Sequence, residues 1–487
     1  AADFPPVMGL LSAIIGGMLV SFISGSRLTI KGPAAGLIVV IASAVADFGG
    51  GDTGWHLALG AMVVAGLIQV LFGVFKLGKL ADIFPLSAIH GMLAAIGLII
   101  IVKQIPVLLD VNPELYSGLS IIESVLSIPK FFANFDPRAT MIGVYSLAIM
   151  LGWPYLKDFW LGKIPAPLMV LIVAIPSELA MDFQHTEPKY ALLHIGNLVE
   201  NVKFNADFSG IAMTGIFIKY VIMFAIVGTL ESLLTVKAID MIDPYKRKSD
   251  NNKDLIAVGL GNTVSAFLGG MPMISEVARS SANVSNGAKT RWANFFHGLF
   301  ILVFVLVATP IIELIPNAAL AAMLITVGIK LAHPKEFVNT FKIGKEQLAI
   351  FLVTIVFTIF EDLLIGIAAG ILLKMIIHLI NGTPISSFFK APTVVSFQGN
   401  EYLIEIDKAA IFSNFPGIKR KLEEIPAGFN VTIDLKKTKL VDHSVMENLH
   451  HFQHEYKEQG GHVKIIGLDN HRPVSDHHLA SRKSVKI

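Results

Sequence analysis

The sequence of 487 residues contains no cysteine, which excludes disulfide bonds, thiolate metal sites and cysteine nucleophiles. Charged residues are scarce as well: Asp, Glu, Lys and Arg make up 16% of the chain, whereas soluble domains carry about 25%. The sequence also lacks a Walker loop, a kinase signature and basic patches interleaved with aromatics, so it supports neither an ATP-driven pump nor nucleic-acid binding. With 53% hydrophobic residues, the composition is typical of an integral membrane protein.

Apolar runs long enough to cross a bilayer, about 20 residues for a helix, recur along most of the chain. The predicted spans are residues 5–24, 55–75, 83–102, 138–155, 164–181, 212–236, 254–270, 292–315, 317–333, 346–361 and 363–380. Two shorter segments, 33–47 and 274–288, are rich in small residues and complete a set of thirteen membrane segments. The amphipathic stretch 119–133 is expected to lie along the membrane interface.

Basic residues fall mostly on the loops of one side, with the densest group around Lys246, Arg247 and Lys248. The positive-inside rule places that side, and the tail that follows the last span, in the cytoplasm. We therefore expect a protein of the plasma (inner) membrane with a transmembrane domain at 1–384. The polar residues 395–487 have the strand and helix patterns of a small cytoplasmic α/β domain.

The two shorter segments share a design, and they stand in the two halves of the chain. They read SGSRLTIKGPAAGLIVVI and GGMPMISEVARSSANVSNG. Each combines glycines and a proline with a helix too short to cross alone, and paired broken segments mark the binding site of inverted-repeat transporters. Because the start of a half-helix presents free N–H groups, the pattern predicts an anion site. The small residues could instead serve close helix packing.

Charged residues in apolar surroundings bear on the same prediction, because a charge inside a membrane body is costly and usually functional. Arg279, early in the second half-helix, would add a positive charge for an anion. Glu276 could pair with it, cap the half-helix or lie at the aqueous edge. Glu231, with Thr235 one turn further on, is a candidate for coupling to H+ or Na+. Alternatively, Glu231 pairs with Lys237 or Arg279.

Four stretches resemble the SulP sulfate-permease family, whose animal relatives are the solute-carrier anion exchangers and prestin. They are FPPVMGLLSAIIGGMLVSFISGSRLTIKGPAAG, GTLESLLTVKAID, GGMPMISEVARSSANVSNGAKTR and IPNAALAAMLITVGIKL. The resemblance implies a polytopic α-helical membrane protein of fourteen segments in two inverted sets of seven, divided into core and gate domains. We expect the family's first segment to be missing from this sequence.

The resemblance also implies that an anion lies between the third and tenth segments of the family. The anion-binding positions that carry over are Gly32, Pro33, Ala34, Ala35, Ser275, Ala278, Arg279 and Ser280. Glu231 and Thr235 match a position that the family links to proton or sodium coupling. Ala278 stands where serine is common, and Glu276 also departs from the usual pattern, so either residue could change which anion fits.

The tail resembles the STAS domain that commonly ends these transporters. Related bacterial domains are phosphorylated on a serine after a strand and turn, which makes Ser444 in KLVDHSVMENL a candidate phosphorylation site. His450, His451 and His454 have helical spacing, but without cysteines or acids in register they predict a solvated helix face rather than a metal site.

Together these features predict a secondary active transporter of a small inorganic anion, bicarbonate or sulfate, that alternates a core against a gate domain and is not an enzyme. No cofactor is expected beyond Na+ or H+ as the coupling ion. A homodimer and a cytoplasmic regulator of the STAS-like domain are expected partners besides the anion and the bilayer. Two alternatives are an anion channel or exchanger without cation coupling and a membrane-anchored regulator acting through the tail.

Overall fold

The computed structural model is helical up to residue 380 and mixed α/β beyond it. The residues it describes are 6–34, 36–78, 85–156, 164–183, 192, 196, 198–245, 247–276, 279–280, 283–284, 287–361, 363–399, 401–458 and 460–485. The α-helices up to residue 380 are α1 (Pro6–Met18), α2 (Val20–Ile23), α3 (Ile38–Asp47), α4 (Gly51–Val74), α5 (Leu86–Leu108), α6 (Ile121–Leu126), α7 (Ile128–Ala133), α8 (Pro137–Gly152), α9 (Ala166–Met181), α10 (Leu198–Asn201), α11 (Thr214–Ile242), α12 (Asn251–Phe267), α13 (Trp292–Val307), α14 (Thr309–Ile312), α15 (Asn317–Leu331), α16 (Pro334–Ile343), α17 (Lys345–Phe360) and α18 (Leu363–Ile380). Two short strands interrupt them, β1 (Ile30–Pro33) and β2 (Met273–Glu276).

The helices lie where the apolar runs predict them. Among the described residues, four helical stretches are long and apolar enough to cross a membrane by length and composition: Gly51–Val74, Leu86–Leu108, Thr214–Lys237 and Asn317–Ile343. Shorter apolar helices occupy most of the other predicted spans. The amphipathic stretch 119–133 forms α6 and α7, and Ser120 closes a capping box with Glu123 at the start of α6.

Glycines allow several of these helices to approach closely. A β-carbon on Gly17 of α1 would come within 2.5 Å of the Cα atom of Gly298 on α13. A β-carbon on Gly66 of α4 would come within 2.9 Å of the carbonyl oxygen of Gly259 on α12. Helix association in a bilayer depends on close packing at such small residues, because in lipid no hydrophobic effect drives the helices together. Small residues therefore serve packing in this chain, at positions outside the two short segments.

Within its described residues, the C-terminal region forms two four-stranded sheets and two α-helices. Its strands are β3 (Thr393–Gln398), β4 (Glu401–Ile406), β5 (Lys408–Ala410), β6 (Asn430–Asp434), β7 (Thr438–Val441), β8 (His462–Ile466), β9 (His471–Pro473) and β10 (Arg482–Ser484), and its helices are α19 (Phe415–Glu423) and α20 (His443–Glu458). One sheet has the order β3-β4-β6-β8 and the other β5-β7-β10-β9. Apolar residues of β4, β6, α19 and α20 share one buried core, which confirms the predicted α/β pattern.

By their internal contacts the residues fall into two compact units. The first comprises Ala1–Gly78 and Ile96–Leu331, and the second Lys79–Ala95 and Ala332–Ile487. The second unit therefore contains the last helices before the tail as well as the C-terminal region. The division predicted from composition, at residues 384 and 395, stays a prediction.

Candidate anion-binding site

The two short segments meet as a pair of antiparallel strands. In the register of β1 and β2, Lys31 lies opposite Ser275 and Gly32 opposite Ile274. Glycine and proline disfavour helix at this point, and the ladder gives the backbone groups that leave the helix a partner at membrane depth. The sequence predicted a break in each segment, but it did not predict that the breaks pair with each other.

Helices follow both strands. After β1 the chain enters α3, whose first turn has no side-chain cap. After β2, residues 279–280 and 283–284 are helical. Uncapped N–H groups at a helix start favour a negative charge. Of the predicted anion-binding residues, Ala35 and Ala278 lie outside the described residues.

Arg279 lies against β1 at the point where the two strands pair. A β-carbon on Gly32 would come 2.8 Å from Nη1 of Arg279, so the glycine leaves the room that the guanidinium occupies. The side chain is exposed. Within the part of the chain that the structure describes, the guanidinium takes part in no ion pair and donates no hydrogen bond. Its N–H groups are therefore available to an anion.

The other predicted ligands near the strand pair have their polar groups largely in use. The Ser275 hydroxyl lies 2.7 Å from Nζ of Lys31, and the Ser280 hydroxyl donates to the carbonyl oxygen of Glu276 at 2.5 Å. The backbone N–H of Ala34 donates to the carbonyl oxygen of Pro272 at 3.3 Å. Among these candidates, the Arg279 guanidinium is therefore the group best placed to contact an anion directly.

A buried ion pair, which the sequence analysis missed, fixes the opposite face of the strand pair. Nζ of Lys31 lies 2.9 Å from both carboxylate oxygens of Asp254 on α12, and the two side chains are 0% and 1% exposed. Asp254 also accepts hydrogen bonds from the Ser24 hydroxyl at 2.6 Å and the Ser26 N–H at 3.2 Å. Together with Ser275, this network ties β1, β2 and α12 together. The separation of 223 residues between its two charges explains why no sequence spacing indicated it.

Glu231 is buried on α11 next to the same strands. Its side chain is 6% exposed, and neither carboxylate oxygen has a hydrogen-bond partner among the described residues. A β-carbon on Gly36 would overlap its Oε1 atom, so Gly36 provides the space for this acid. The neighbouring Ser232 hydroxyl accepts a hydrogen bond from the Ser275 N–H at 3.2 Å, which joins α11 to β2. Thr235 is buried one turn further along α11.

The candidate phosphorylation site lies in a separate buried cluster of the second unit. Ser444, at the start of α20, is 3% exposed, and its hydroxyl accepts a hydrogen bond from Nζ of Lys374 on α18 at 2.9 Å. Lys374 and His378 each lie 3.3 Å from Oδ2 of Asp442. Burial opposes the charged form of Asp442, but Lys374 and His378 outweigh it and hold the pKa of this carboxyl below its ordinary value. Phosphorylation of Ser444 stays a prediction and would require this contact to open.

Comparison with known proteins identifies the relatives of the chain. A profile of the Sulfate permease family matches residues 1–354. The bicarbonate transporter BicA of Picosynechococcus sp. is 24% identical over 371 residues, which cover 74% of this chain and 63% of BicA. High affinity sulfate transporter 2 of Stylosanthes hamata is 24% identical over 512 residues, which cover 97% of this chain and 76% of that protein.

Solved structures show the same fold. The murine Solute Carrier 26 family member A9 anion transporter, in its inward-facing state, aligns with a TM-score of 0.66 at 17% identity, over 95% of this chain and 81% of that one. The transmembrane domain of a cyanobacterial bicarbonate transporter, BicA, aligns with a TM-score of 0.63 at 22% identity, over 74% and 89%.

These relatives are membrane transporters, so the predicted fold class and the prediction of a transporter rather than an enzyme are confirmed. The chain belongs to the sulfate permease family.

Proposed function

We propose that this protein is a secondary active transporter that moves bicarbonate or sulfate across the inner membrane together with Na+ or H+, by alternating a core against a gate domain. The observation that carries the proposal is the guanidinium of Arg279, which faces the paired breaks of β1 and β2 with its donors unengaged by any described residue. Relatives named for bicarbonate transport and for sulfate transport support these two anions as the candidate substrates.

Glu231 is the candidate for the coupling ion. A carboxylate that is 6% exposed and lacks a hydrogen-bond partner among the described residues is costly to keep charged, so a proton or a metal cation would stabilise it. The next residue, Ser232, accepts a hydrogen bond from the backbone of β2. A change at Glu231 on ion binding can therefore be transmitted to the strand pair, where the anion is proposed to bind. The basic loops support a cytoplasmic position for the C-terminal region. We also propose that the protein forms a homodimer and that a cytoplasmic regulator binds the C-terminal region.

Uptake into liposomes tests the anion site. The reconstituted protein is given labelled bicarbonate or labelled sulfate, with and without an inward Na+ or H+ gradient. Arg279→Ala should abolish uptake, because the anion loses its main charged partner. Arg291→Ala is the matched control, since Arg291 donates to the carbonyl oxygen of Phe22 and should leave uptake intact. Undiminished uptake by Arg279→Ala would refute the site.

The coupling role is tested in the same vesicles with Glu231→Gln. Uptake by this variant should no longer respond to the cation gradient, since glutamine cannot bind a proton or balance a cation in the same way. Glu178→Gln on α9 is the control, because Glu178 is also buried and lacks a hydrogen-bond partner among the described residues. A gradient dependence that survives in Glu231→Gln would move coupling elsewhere and favour an uncoupled channel or exchanger.

A further inference from the structure

The acid at position 276 occupies an unusual place for an anion site. Glu276 ends β2, and its Oε2 atom accepts a hydrogen bond from the backbone N–H of Arg279 at 2.9 Å. A carboxylate of the protein therefore holds one N–H of the same residue whose guanidinium faces β1. An anion that contacts Arg279 therefore binds next to a residue whose backbone is hydrogen-bonded to a carboxylate.

The charges around the strand pair do not balance in favour of an anion. Lys31 and Asp254 neutralise each other through their direct contact. Glu276 and Glu231 interact electrostatically, and neither forms an ion pair with a described residue. Arg279 therefore contributes one positive charge opposite the carboxylate of Glu276. His297, on α13, is a further titratable group, and it interacts electrostatically with Arg279.

Repulsion from Glu276 depends on the charge of the anion. Coulomb energy scales with the product of the two charges, so a dianion such as sulfate experiences twice the repulsion that a monoanion such as bicarbonate experiences at the same position. Attraction to Arg279 also doubles for the dianion, but each acid opposes it. Glu276 is half-buried at the end of β2, so water screens this repulsion only in part.

We propose that Glu276 is a specificity-determining residue that biases the site toward monovalent anions and against divalent ones. The inference rests on the proposed function, because it presupposes that the anion binds at Arg279. It narrows the substrate class to monovalent anions and therefore favours bicarbonate over the dianion sulfate. Glu276 would also act as a tethered competitor, since substrate gains the Arg279 N–H when the carboxylate moves aside.

Dissociation constants for bicarbonate and for sulfate test the inference, measured on the purified full chain at one pH and one saturating Na+ concentration. Glu276→Gln retains an acceptor for the Arg279 N–H and loses the charge. The ratio of the sulfate constant to the bicarbonate constant should fall by on the order of tenfold in this variant, because removal of one carboxylate relieves the dianion more. Glu114→Gln, which changes an exposed acid in the 3-10 helix Pro113–Leu115, is the control and should leave the ratio unchanged.

Glu276→Ala separates charge from helix capping. If Glu276 only capped the helix, glutamine would behave as the wild type, and alanine would lower the melting temperature without a gain for sulfate. That result, or an unchanged ratio in Glu276→Gln, would overturn the inference. Failure of the proposed function looks different, since neither anion would then bind the folded wild-type protein.

Discussion

The buried ion pair between Lys31 and Asp254 gives the sharpest prediction about how the site is held together. Asp254→Asn keeps an acceptor oxygen for Ser24 and Ser26, whose donors lie 2.6 and 3.2 Å away. It leaves the Lys31 ammonium buried at 0% exposure, with the hydroxyl groups of Thr29 and Ser275 and one neutral amide oxygen in place of a carboxylate. The substitution therefore isolates the loss of one charge from the loss of packing.

The expected loss in the free energy of unfolding for Asp254→Asn is that of leaving one buried charge without its partner. Removing one partner of a buried pair typically costs about 3–5 kcal/mol, because the remaining charge stays desolvated without compensation. Replacing both charges is milder, so Lys31→Met combined with Asp254→Asn should be more stable than Asp254→Asn alone. At about 2 °C per kcal/mol for a large chain, the single variant should melt on the order of 6–10 °C below the wild type.

Thermal unfolding of the four proteins in detergent measures the coupling between the two positions. The wild type, both single variants and the double variant form a double-mutant cycle, which separates the interaction between the charges from their separate contributions. A favourable coupling of several degrees supports the network. If the losses of the two single variants simply add in the double variant, Lys31 and Asp254 do not act as a pair.

Three further variants test other contacts. Gly36→Ala should remove the gradient dependence of uptake, because its β-carbon would displace the Glu231 carboxylate; unchanged dependence would dissociate the acid from coupling. Ser444→Ala should lower stability by about 1 kcal/mol through loss of the hydrogen bond from Lys374, and a neutral effect on thermal melting would count against that contact. Asp442 has a lowered pKa when folded, so its contribution is present above the unfolded value of about 3.9 and is lost as the pH falls through the folded pKa. The difference in melting temperature between the wild type and Asp442→Asn should therefore be present at neutral pH and shrink on acidification below about pH 4; a difference independent of pH would contradict this.

Local patterns in the sequence were sufficient for the helices. Apolar runs of bilayer length predicted α4, α5 and α11 to within six residues at each end, because a spanning helix must be apolar over its whole length. Glycine and proline predicted where the two short segments leave the helix, since both residues disfavour helical backbone. Arg279 and Glu231 stood out because charges are rare in such surroundings.

The parts that the sequence did not predict depend on contacts between distant residues. Lys31 contacts Ser275 and Asp254, which both lie more than 200 residues further along the chain. The residues around Lys31 do not indicate these partners, and the residues around the partners do not indicate Lys31. Ser275 stays a predicted anion-binding residue, and the sequence does not indicate that its hydroxyl lies 2.7 Å from Nζ of Lys31. In the second unit, Lys374 lies within the predicted span 363–380, and nothing in the sequence indicates its contact with Asp442.

Direct titration of bicarbonate onto the purified protein tests whether Arg279, beside the paired strands, holds the anion. Heat of binding is recorded for the wild type, Arg279→Ala and Arg291→Ala at one pH and one Na+ concentration, with melting temperatures confirming that each protein is folded. Saturable binding is expected for the wild type and for Arg291→Ala, and no measurable binding for Arg279→Ala. Equal binding by all three folded proteins would show that the anion is held elsewhere.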